Sequence, residues 1–326
     1  MGNKAPKLVT IFGGSGFVGR QLVQHLAKKG YRIRVAVRRP DLAGDVRPLG
    51  AVGQIHPIQA NVRNKPSVER AVAGADIVIN LTGILFESGK QRFQAVQTVG
   101  ARHVAEAAAA AGATRLVHMS ALGADAESES AYARSKALGE QEVLKAFPDA
   151  VIIRPSIIFG SEDGFFNMFG ALARLSPALP LVGGNTKMQP IYVGDVADAF
   201  DVAAEGGVKG GKIYEIGGPT VETMKELLQR LLKETERNNL LLPIPTPIAK
   251  IIGWFMQILP NPMLTVDQVK LLQHDNVVSE EAKKQKRTLK AFGIEPKTMG
   301  AILPTYLWRF MKHGQFDRRV EPLRRD

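Results

Sequence analysis

Two residues with the chemistry for proton transfer stand four positions apart in the segment YARSK. Tyr132 and Lys136 would lie on one face of a helix, because residues four positions apart are neighbours on a helix surface. A phenol with an ordinary pKa of about 10 needs a nearby cation to exchange its proton at neutral pH, and an ammonium group supplies one. The spacing predicts a pair that acts as general acid or base.

A glycine-rich turn that can hold phosphate lies near the N-terminus, in the segment FGGSGFVG. Gly13, Gly16 and Gly19 recur at intervals of three, between an apolar run with strand character and a helical pattern. In that context backbone N–H groups and the helix dipole face a pyrophosphate, so the turn predicts a dinucleotide site. A merely tight strand–helix turn is the alternative. Ser15 is not a hydrolase nucleophile, because that motif needs glycine where Phe17 stands.

Two adjacent arginines stand where dinucleotide-binding proteins discriminate between cofactors. The segment VAVRRP ends the second predicted strand, where NAD-binding proteins carry Asp or Glu for the ribose hydroxyls. Arg38 and Arg39 replace that acid here. A guanidinium binds a 2′-phosphate through two hydrogen bonds, and no carboxylate is left to repel the phosphate. The pair predicts NADPH as the cofactor; two solvent-exposed arginines at a strand end are the alternative.

The elements that must position these residues alternate along the first half of the chain. Short β-branched apolar runs, among them KLVTIF, RIRVAV, ADIVINLTG, TRLVHMS and AVIIRPSIIFG, are separated by turns and helical patterns. Nearly continuous apolar strands in such an order are typical of a parallel sheet covered by helices on both faces. The predicted fold class is α/β, a Rossmann doubly wound parallel sheet with a smaller, loop-rich C-terminal region.

Three ranges organise the chain. We expect an NADP-binding Rossmann core in residues 1–160, a mixed region that completes the sheet and forms the small domain in residues 161–280, and a basic C-terminal tail in residues 281–326. The last range holds twelve Lys or Arg and five Asp or Glu, so it supplies +7 of the formal net charge of +12. This charge favours phosphates, an anionic membrane surface or an acidic partner; a solvated tail is the alternative.

Composition excludes several classes of function. The 326 residues contain no cysteine, which rules out disulfides, thiol nucleophiles and cysteine-ligated metals. The six histidines show no metal-binding spacing, so we expect no metal. No zinc-finger, RNA-recognition or basic-zipper signature is present, so we expect no nucleic-acid partner. The N-terminal apolar run leads into the glycine turn and is interpreted as the first strand rather than a signal peptide.

One later segment, LLLPIPTPIAKIIGWFMQILPNPM, joins prolines to an apolar helical pattern. Its prolines predict an extended lead-in, and apolar residues then recur at helical spacing until Pro260. The run is too short to span a bilayer. One interpretation is an amphipathic helix that carries Trp254 onto a membrane or partner surface. The other, which the local sequence favours, is a core helix of the small region.

The segments GGSGFVG, YARSK, RPSIIFG and IYVGDVADAF, in this order, resemble the extended or atypical branch of the short-chain dehydrogenase/reductase superfamily. The resemblance covers residues 8–220. It implies that Asn61 and Val62 flank the adenine, with Asn61 in place of the usual aspartate, and that the segment NLTG passes under the cofactor. The cofactor-binding positions it implies are Gly13, Ser15, Gly16, Phe17, Val18, Gly19, Arg38, Arg39, Asn61, Val62, Leu81, Thr82, Gly83, Ser120, Tyr132, Lys136, Pro155, Ser156 and Ile157.

In enzymes of that superfamily the tyrosine is the general acid or base, the lysine lowers its pKa and holds the nicotinamide ribose, and a serine orients the substrate. The resemblance therefore assigns these catalytic roles to Tyr132, Lys136 and Ser120. Ser120 stands one position early, and Ala121 fills the slot where a second serine is usual. In a protein that does not catalyse, the three residues would be vestigial.

The downstream segment LTVDQVKLLQHDNVVS resembles the dehydrogenase-like accessory subunits of respiratory complex I. That resemblance extends over nearly the whole chain. It implies a non-catalytic subunit that binds NADPH structurally, contacts other complex I subunits near the membrane junction, and lies on the cytoplasmic face of the bacterial inner membrane. The Trp254 segment and the basic tail would then meet the membrane surface. The alternative is an independent NADP-dependent oxidoreductase or epimerase that acts on a small carbonyl or quinone-like substrate.

Overall fold

A seven-stranded parallel sheet forms the centre of the chain in the computed structural model, which describes residues 6–312. The strands are β1 (Leu8–Phe12), β2 (Arg32–Val37), β3 (Ile55–Gln59), β4 (Ile77–Asn80), β5 (Arg115–Met119), β6 (Val151–Pro155), β7 (Ile158–Phe159), β8 (Ala178–Leu181), β9 (Lys187–Met188), β10 (Ile191–Tyr192), β11 (Lys212–Ile216), β12 (Glu222–Thr223) and β13 (Leu240–Pro243). The order across the sheet is β3-β2-β1-β4-β5-β6-β11. This order reverses direction at β1 and β4, which confirms the predicted doubly wound α/β fold.

Helices connect the strands and cover the sheet. They are α1 (Phe17–Lys28), α2 (Lys65–Val72), α3 (Gly100–Ala110), α4 (Ala131–Ala146), α5 (Phe165–Leu175), α6 (Val193–Glu205), α7 (Met224–Glu234), α8 (Thr246–Met256), α9 (Val266–Leu271), α10 (Glu280–Lys284), α11 (Met299–Ile302) and α12 (Pro304–Leu307). A π-helical turn over Gln94–Val99 leads into α3. Short 3₁₀ turns cover Pro40–Leu42, Gly44–Leu49, Leu289–Phe292 and Trp308–Phe310.

The apolar strands form because alternate side chains enter two helical layers. Ile11 and Ile79 pack with α1 and α6 on one face, and Phe12 and Val78 pack with α2, α3 and α4 on the other. All four side chains are 0–1% exposed. Burial of each such side chain stabilises the fold by roughly 1.5–3 kcal/mol, which is why the strands read as continuous apolar runs.

A third core lies in the smaller region, between α5, α7 and the C-terminal helices. Leu227, Leu228 and Leu231 are fully buried there, and α7 begins with a capping box in which Thr223 and Glu226 satisfy each other's backbone N–H groups. Three two-stranded pairs, β7 with β10, β8 with β13 and β9 with β12, tie this region to the chain that follows β6.

Residues 281–312 fold onto the protein, which corrects the expectation of a tail for this range. Leu289 and Phe292 are buried in the core beneath α1 and α6, and Leu303 and Leu307 are buried in the third core. Apolar residues recur between the lysines and arginines, so the apolar side chains pack inward while most of the charges stay in water. The rest of the predicted tail, 313–326, lies outside the described residues.

Helix α8 is not a core helix, which corrects the interpretation that the local sequence favoured. Its buried residues are Ala249 and Gly253, and Gly253 lies so close to Thr265 that a β-carbon would sit 2.9 Å from the Thr265 carbonyl carbon. Because the small residues make this contact, the large apolar side chains face outward: Trp254 and Phe255 are each 59% exposed. No helix within residues 6–312 is both long and apolar enough to cross a membrane.

Candidate cofactor site

The predicted site residues meet at one edge of the sheet. Parallel strands end at the same edge, and each predicted cluster directly follows a strand end. The order reverses between β1 and β4, which is the point where open α/β sheets bind ligands. Each of the strands β1 to β6 is followed within two residues by a predicted site residue. These residues are Gly13 after β1, Arg38 after β2, Asn61 after β3, Leu81 after β4, Ser120 after β5 and Ser156 after β6.

The turn from β1 into α1 can adopt its tight conformation only because its key positions are glycine. Gly13 has φ of +79° and accepts a hydrogen bond from Gly16 N at 3.0 Å. A β-carbon on Gly19 would lie 2.5 Å from Gly13 O, so α1 can approach the turn only with glycine there. Ser15, half-buried, completes the turn, and Phe17 and Val18 begin the helix.

The N-terminus of α1 is open to an anion. No side chain of residues 6–312 caps it, and its first turn carries no acidic residue. The unpaired N–H groups and the positive end of the helix dipole therefore remain available to a phosphate group. This arrangement fits the pyrophosphate of a dinucleotide.

The two adjacent arginines differ in their surroundings. The Arg39 guanidinium already binds the Asp41 carboxylate, with Nη2 2.8 Å from Oδ2, and its side chain is 68% exposed. Arg38 instead approaches Gln91: with the amide oxygen turned toward it, Nη1 of Arg38 lies 2.6 Å away, and Nη2 of Arg63 lies 3.3 Å from the same oxygen. The cluster at the end of β2 and β3 thus joins Arg38 to Arg63 rather than to Arg39.

Arg63 is a site residue that sequence reasoning missed. Its Nε is shielded from solvent and has no partner within residues 6–312. The available signal was its position directly after Asn61 and Val62. Asn61 uses its Oδ1 to accept from Arg63 N at 3.1 Å, and Val62 is buried against α3, so both residues shape the loop that carries the guanidinium.

The segment after β4 runs directly beside the glycine turn. Leu81 N donates to Phe12 O at 2.9 Å, and Thr82 N donates to the buried Asn80 Oδ1 at 3.1 Å. A β-carbon on Gly83 would lie 3.3 Å from the ammonium nitrogen of Lys136. The predicted segment therefore links the phosphate turn to the tyrosine–lysine pair.

Tyr132 and Lys136 lie in the first two turns of α4, as their spacing requires. Lys136 Nζ is 6.0 Å from the centre of the Tyr132 ring and donates to Met119 O at 3.1 Å. Lys136 is 3% exposed, and this burial lowers its pKa from 10.5 to about 8, although Glu140 acts in the opposite direction. Because the charged form of Lys136 is shielded from water, an anionic or hydroxyl-bearing ligand beside it would stabilise that charge.

Tyr132 is harder to ionise than a free tyrosine. Burial raises the pKa of its phenol to about 12, and the nearby Asp267 carboxylate contributes in the same direction. The ring packs edge-on against Phe93, with 5.8 Å between the ring centres. The hydroxyl therefore remains protonated at neutral pH, which suits a hydrogen-bond donor better than a base.

Ser120 lies at the end of β5 with its hydroxyl unsatisfied. The side chain is 3% exposed, and Oγ has no hydrogen-bond partner within residues 6–312. A buried hydroxyl without a partner is costly unless a ligand supplies one. This orphaned atom, the open helix end and the glycine turn together fit a bound dinucleotide.

Helix α9 binds the start of α4, a contact that sequence reasoning did not identify. Asp267 accepts hydrogen bonds from Ser130 Oγ at 2.7 Å, from Ala131 N at 2.7 Å and from Tyr132 N at 3.1 Å. Its carboxylate thus satisfies the free N–H groups of α4 and complements the positive end of that helix. The signal was faint, because nothing in the segment LTVDQVKLLQHDNVVS distinguishes Asp267 from Asp275 as the acid that would cap a distant helix.

Residue 276 makes a second such contact, at the end of β6. Asn276 Oδ1 accepts from Ser156 Oγ at 2.7 Å and from Ile157 N at 3.1 Å. Pro155 and Ser156 are buried, and Ile157 is half-buried. The chain from α9 to Asn276 is therefore anchored on both α4 and the turn after β6. Within residues 6–312, no three His, Asp or Glu side chains come together as metal ligands.

Comparisons with known proteins agree with this architecture. The model of the NAD dependent epimerase/dehydratase family matches residues 9–217. The chain is similar to NADH dehydrogenase (ubiquinone) 1 alpha subcomplex subunit 9, mitochondrial, of Arabidopsis thaliana, with 36% identity over 294 residues that cover 85% of this chain and 72% of that protein. It is also similar to the Ceramide reductase of Caulobacter vibrioides, with 36% identity over 197 residues, 60% of this chain and 61% of that protein.

Among solved structures, the NADPH-dependent quinone oxidoreductase QOR2 of Escherichia coli, complexed with NADPH, has a similar fold. The TM-score is 0.70 at 19% identity, and the match covers 92% of this chain and 98% of that chain.

Proposed function

Since this chain belongs to the NAD dependent epimerase/dehydratase family, we propose that it is a non-catalytic accessory subunit of respiratory complex I, NADH:ubiquinone oxidoreductase. It binds NADPH as a structural cofactor and stabilises the peripheral arm near the membrane junction. It lies on the cytoplasmic face of a bacterial inner membrane, the counterpart of the matrix side in mitochondria. Its Arabidopsis relative carries the name of an NADH dehydrogenase subunit.

The anchored chain between α9 and Asn276 is the observation that carries this proposal. Asp267 binds the turn of α4 that bears Tyr132, and Asn276 binds the turn after β6 that is expected to face the nicotinamide. An oxidoreductase needs room for a substrate between these positions. The chain between α9 and Asn276 is hydrogen-bonded to both positions, and this supports a role in which the cofactor is held and not turned over.

The state of Tyr132 argues against one catalytic role, that of general base. A general base works best when its pKa lies near the operating pH, whereas the pKa of this phenol is raised to about 12. Asp267, which contributes to that shift, sits on the segment that resembles the accessory subunits. Lys136 keeps a purpose without catalysis, because a lysine in this position can hold the nicotinamide ribose.

NADPH fits the chemistry of the residues at the strand ends. The open N-terminus of α1 would hold the pyrophosphate, Lys136 the nicotinamide ribose, and Arg38 the 2′-phosphate, with Arg63 beside it. When bound, NADPH supplies a hydride that can be transferred. A ligand that binds only the folded state stabilises it by about 2.7 kcal/mol at a concentration of 100 Kd. Bound NADPH would stabilise the subunit in this way without any hydride transfer.

Helix α8 supports a peripheral position at the membrane surface. Trp254 and Phe255 face outward beside Ile251 and Ile258, which are 59% and 77% exposed. A helix with aromatic and aliphatic side chains on one exposed face lies well at the boundary of headgroups and acyl chains. The net charge of +12 would favour an anionic membrane. The remaining contacts of the subunit would be with other complex I subunits.

Substitutions in the native chromosome test the proposal. Tyr132→Phe is expected to leave the amount and the NADH:ubiquinone activity of assembled complex I unchanged, because the hydroxyl does no chemistry. Lys136→Met is expected to lower the amount of assembled complex, because it weakens the hold on NADPH. A loss of activity with Tyr132→Phe while the complex remained assembled would overturn the proposal.

A second candidate function is an independent NADP-dependent oxidoreductase or epimerase for a small carbonyl or quinone-like substrate. It is favoured by the presence of both Tyr132 and Lys136 in α4 and by the similarity to the Ceramide reductase of Caulobacter vibrioides. Its test is NADPH oxidation by the purified protein with such substrates. Turnover that disappears with Tyr132→Phe would make this the primary function.

A further inference from the structure

A basic cleft lies beside β11, the edge strand on the side of the sheet opposite β3. Its volume is about 470 Å³, within the range of roughly 300–1,000 Å³ that is usual for small-molecule sites. One wall is the loop from Gly207 to Lys212 that leads into the amino end of β11, and the other is the turn after α10. The cofactor site lies at the carboxyl ends of the strands, so the two sites are separate.

Four cations line this basic cleft with little compensation. Lys209, Lys212 and Lys286 form no salt bridge with any residue in the range 6–312, and all three are exposed. Within the described part of the chain, Arg287 has only one long acidic contact, with Nη2 3.7 Å from an oxygen of the exposed Glu281, and its shielded Nε has no hydrogen-bond partner. Clustered cations repel one another unless an anion neutralises them.

Both walls of the basic cleft are held in place by hydrogen bonds. Tyr214 donates from its hydroxyl to Lys209 O at 3.0 Å, which fixes the loop. Arg287 is fixed through its backbone, because its carbonyl accepts from Glu215 N at 3.0 Å and its N–H donates to Ala282 O at 2.8 Å. Lys286 has a φ of +53°, a left-handed backbone conformation that residues other than glycine rarely adopt. The cations therefore lie on backbone segments that these hydrogen bonds hold in place.

We propose that this basic cleft binds a phosphorylated small molecule that carries at least two negative charges. Lysine ammonium groups bind phosphate as point charges, and an arginine guanidinium offers several N–H donors to phosphate oxygens. The ligand comes from one of two sources, a phosphorylated metabolite free in solution or the phosphate headgroup of a lipid. Because the sites are separate, a bound dinucleotide does not block this cleft.

Pyrophosphate binding to the full-length protein tests this proposal by calorimetry. The double variant Lys212→Gln/Lys286→Gln is compared with Lys145→Gln/Lys225→Gln, which removes two exposed lysines without salt bridges elsewhere in residues 6–312. Any binding at the glycine turn is common to all three proteins. We expect the cleft variant, Lys212→Gln/Lys286→Gln, to lose the pyrophosphate binding that the cleft provides, or to bind pyrophosphate there at least tenfold more weakly. The control variant should bind pyrophosphate as the native protein does. Equal binding by both variants would overturn the proposal.

Vesicles distinguish the two sources of the ligand. With phosphatidic acid in phosphatidylcholine vesicles, a lipid source predicts that the cleft variant loses the binding that depends on phosphatidic acid. A soluble source predicts that this binding stays the same while pyrophosphate binding is lost. Polyglutamate that displaced pyrophosphate at equal concentration of charge would assign the cleft to an acidic peptide and overturn the proposal of a phosphorylated ligand.

Discussion

Burial acts on Tyr132 and Lys136 in opposite directions on the pKa scale, and both shifts favour the neutral form. The pKa of the lysine falls to about 8, and the pKa of the tyrosine rises to about 12. At neutral pH the lysine still carries its charge, at a cost to the folded protein, and the tyrosine carries none. The charged lysine therefore gains from an electron-rich ligand, whereas the neutral phenol does not act as a base, which is why the lysine is the informative residue.

Replacing Lys136 by Met is expected to stabilise the protein without cofactor and to weaken NADPH binding. A shift of the pKa from 10.5 to about 8 means that the buried charge costs on the order of 3–4 kcal/mol, since one pKa unit is about 1.4 kcal/mol. Thermal unfolding with and without NADPH measures both effects. Tyr132→Phe is the matched control and should retain the increase in Tm that NADPH produces. If Tyr132→Phe abolished that increase and Lys136→Met did not, these roles would be reversed.

The same residue predicts a pH dependence of stability in the protein without cofactor. Between pH 8 and about 10 the unfolded chain, with an ordinary lysine pKa of 10.5, binds more protons at this position than the folded chain does. The free energy of unfolding therefore rises with pH in this window, by roughly 1.5 kcal/mol from pH 8 to about 9.5. Urea unfolding of native protein and Lys136→Met across this range isolates the contribution. A difference between the two proteins that does not vary with pH would contradict the assignment.

At the scale of elements, α9 acts as a cap for α4 that is supplied from a distant part of the chain. Ser130 caps the helix locally, with Oγ accepting from Ala133 N at 3.2 Å, and Asp267 then bonds to Ser130 and to the next two N–H groups. Because α8 packs on α9 through Gly253 and Thr265, the exposed face of α8 is mechanically joined to the helix that carries Tyr132. The two features belong to one structural unit.

Asp267→Asn is expected to lower the free energy of unfolding by about 1–2 kcal/mol. Both carboxylate oxygens accept from N–H groups of α4, whereas an amide has one oxygen, and its NH₂ group cannot accept from the remaining N–H. The substitution should also bring the pKa of Tyr132 closer to the ordinary value for tyrosine, since the carboxylate contributes to the raised value. Urea unfolding and the NMR titration of ring-labelled tyrosine measure the two effects. Asp149→Asn, an exposed acid without a salt bridge in residues 6–312, is the control. An unchanged tyrosine titration would count against the contact.

The exposed face of α8 predicts binding to anionic vesicles. Trp254→Ser/Phe255→Ser removes two aromatic side chains that are each 59% exposed, so the change should leave the fold intact and weaken vesicle binding by about tenfold or more. Sedimentation with vesicles measures the bound fraction. Val52→Ser changes a fully exposed apolar residue in the loop before β3 and should bind as the native protein does. Equal binding by all three proteins would place α8 against protein rather than lipid.

At the scale of the whole molecule, the parts of the fold that local patterns encode were predictable. The β-branched runs and the glycine turn specify β1, α1 and the parallel sheet, since each signal acts within a few residues. The glycines at 13 and 19 are required by conformation and close approach, which sequence motifs record directly.

The rest depends on contacts between distant parts of the chain. Asp267 reaches Tyr132 across 135 positions, and no local pattern indicates which helix an isolated acid will cap. Arg39 forms a salt bridge with Asp41, two positions away. The two adjacent arginines in the sequence do not indicate whether Arg39 binds this carboxylate or a phosphate. The exposure of α8 follows from Gly253 packing on Thr265, and the folding of residues 281–312 follows from cores that those residues only complete.

The most direct measurement is purification of the native chain from membranes under mild detergent, with the bound nucleotide quantified. We expect the protein to migrate with NADH:ubiquinone oxidoreductase and to carry about one NADPH per copy, which remains reduced and bound while the complex oxidises NADH. A chain that is recovered only as a free soluble species, or that oxidises its NADPH during turnover of the complex, would contradict it.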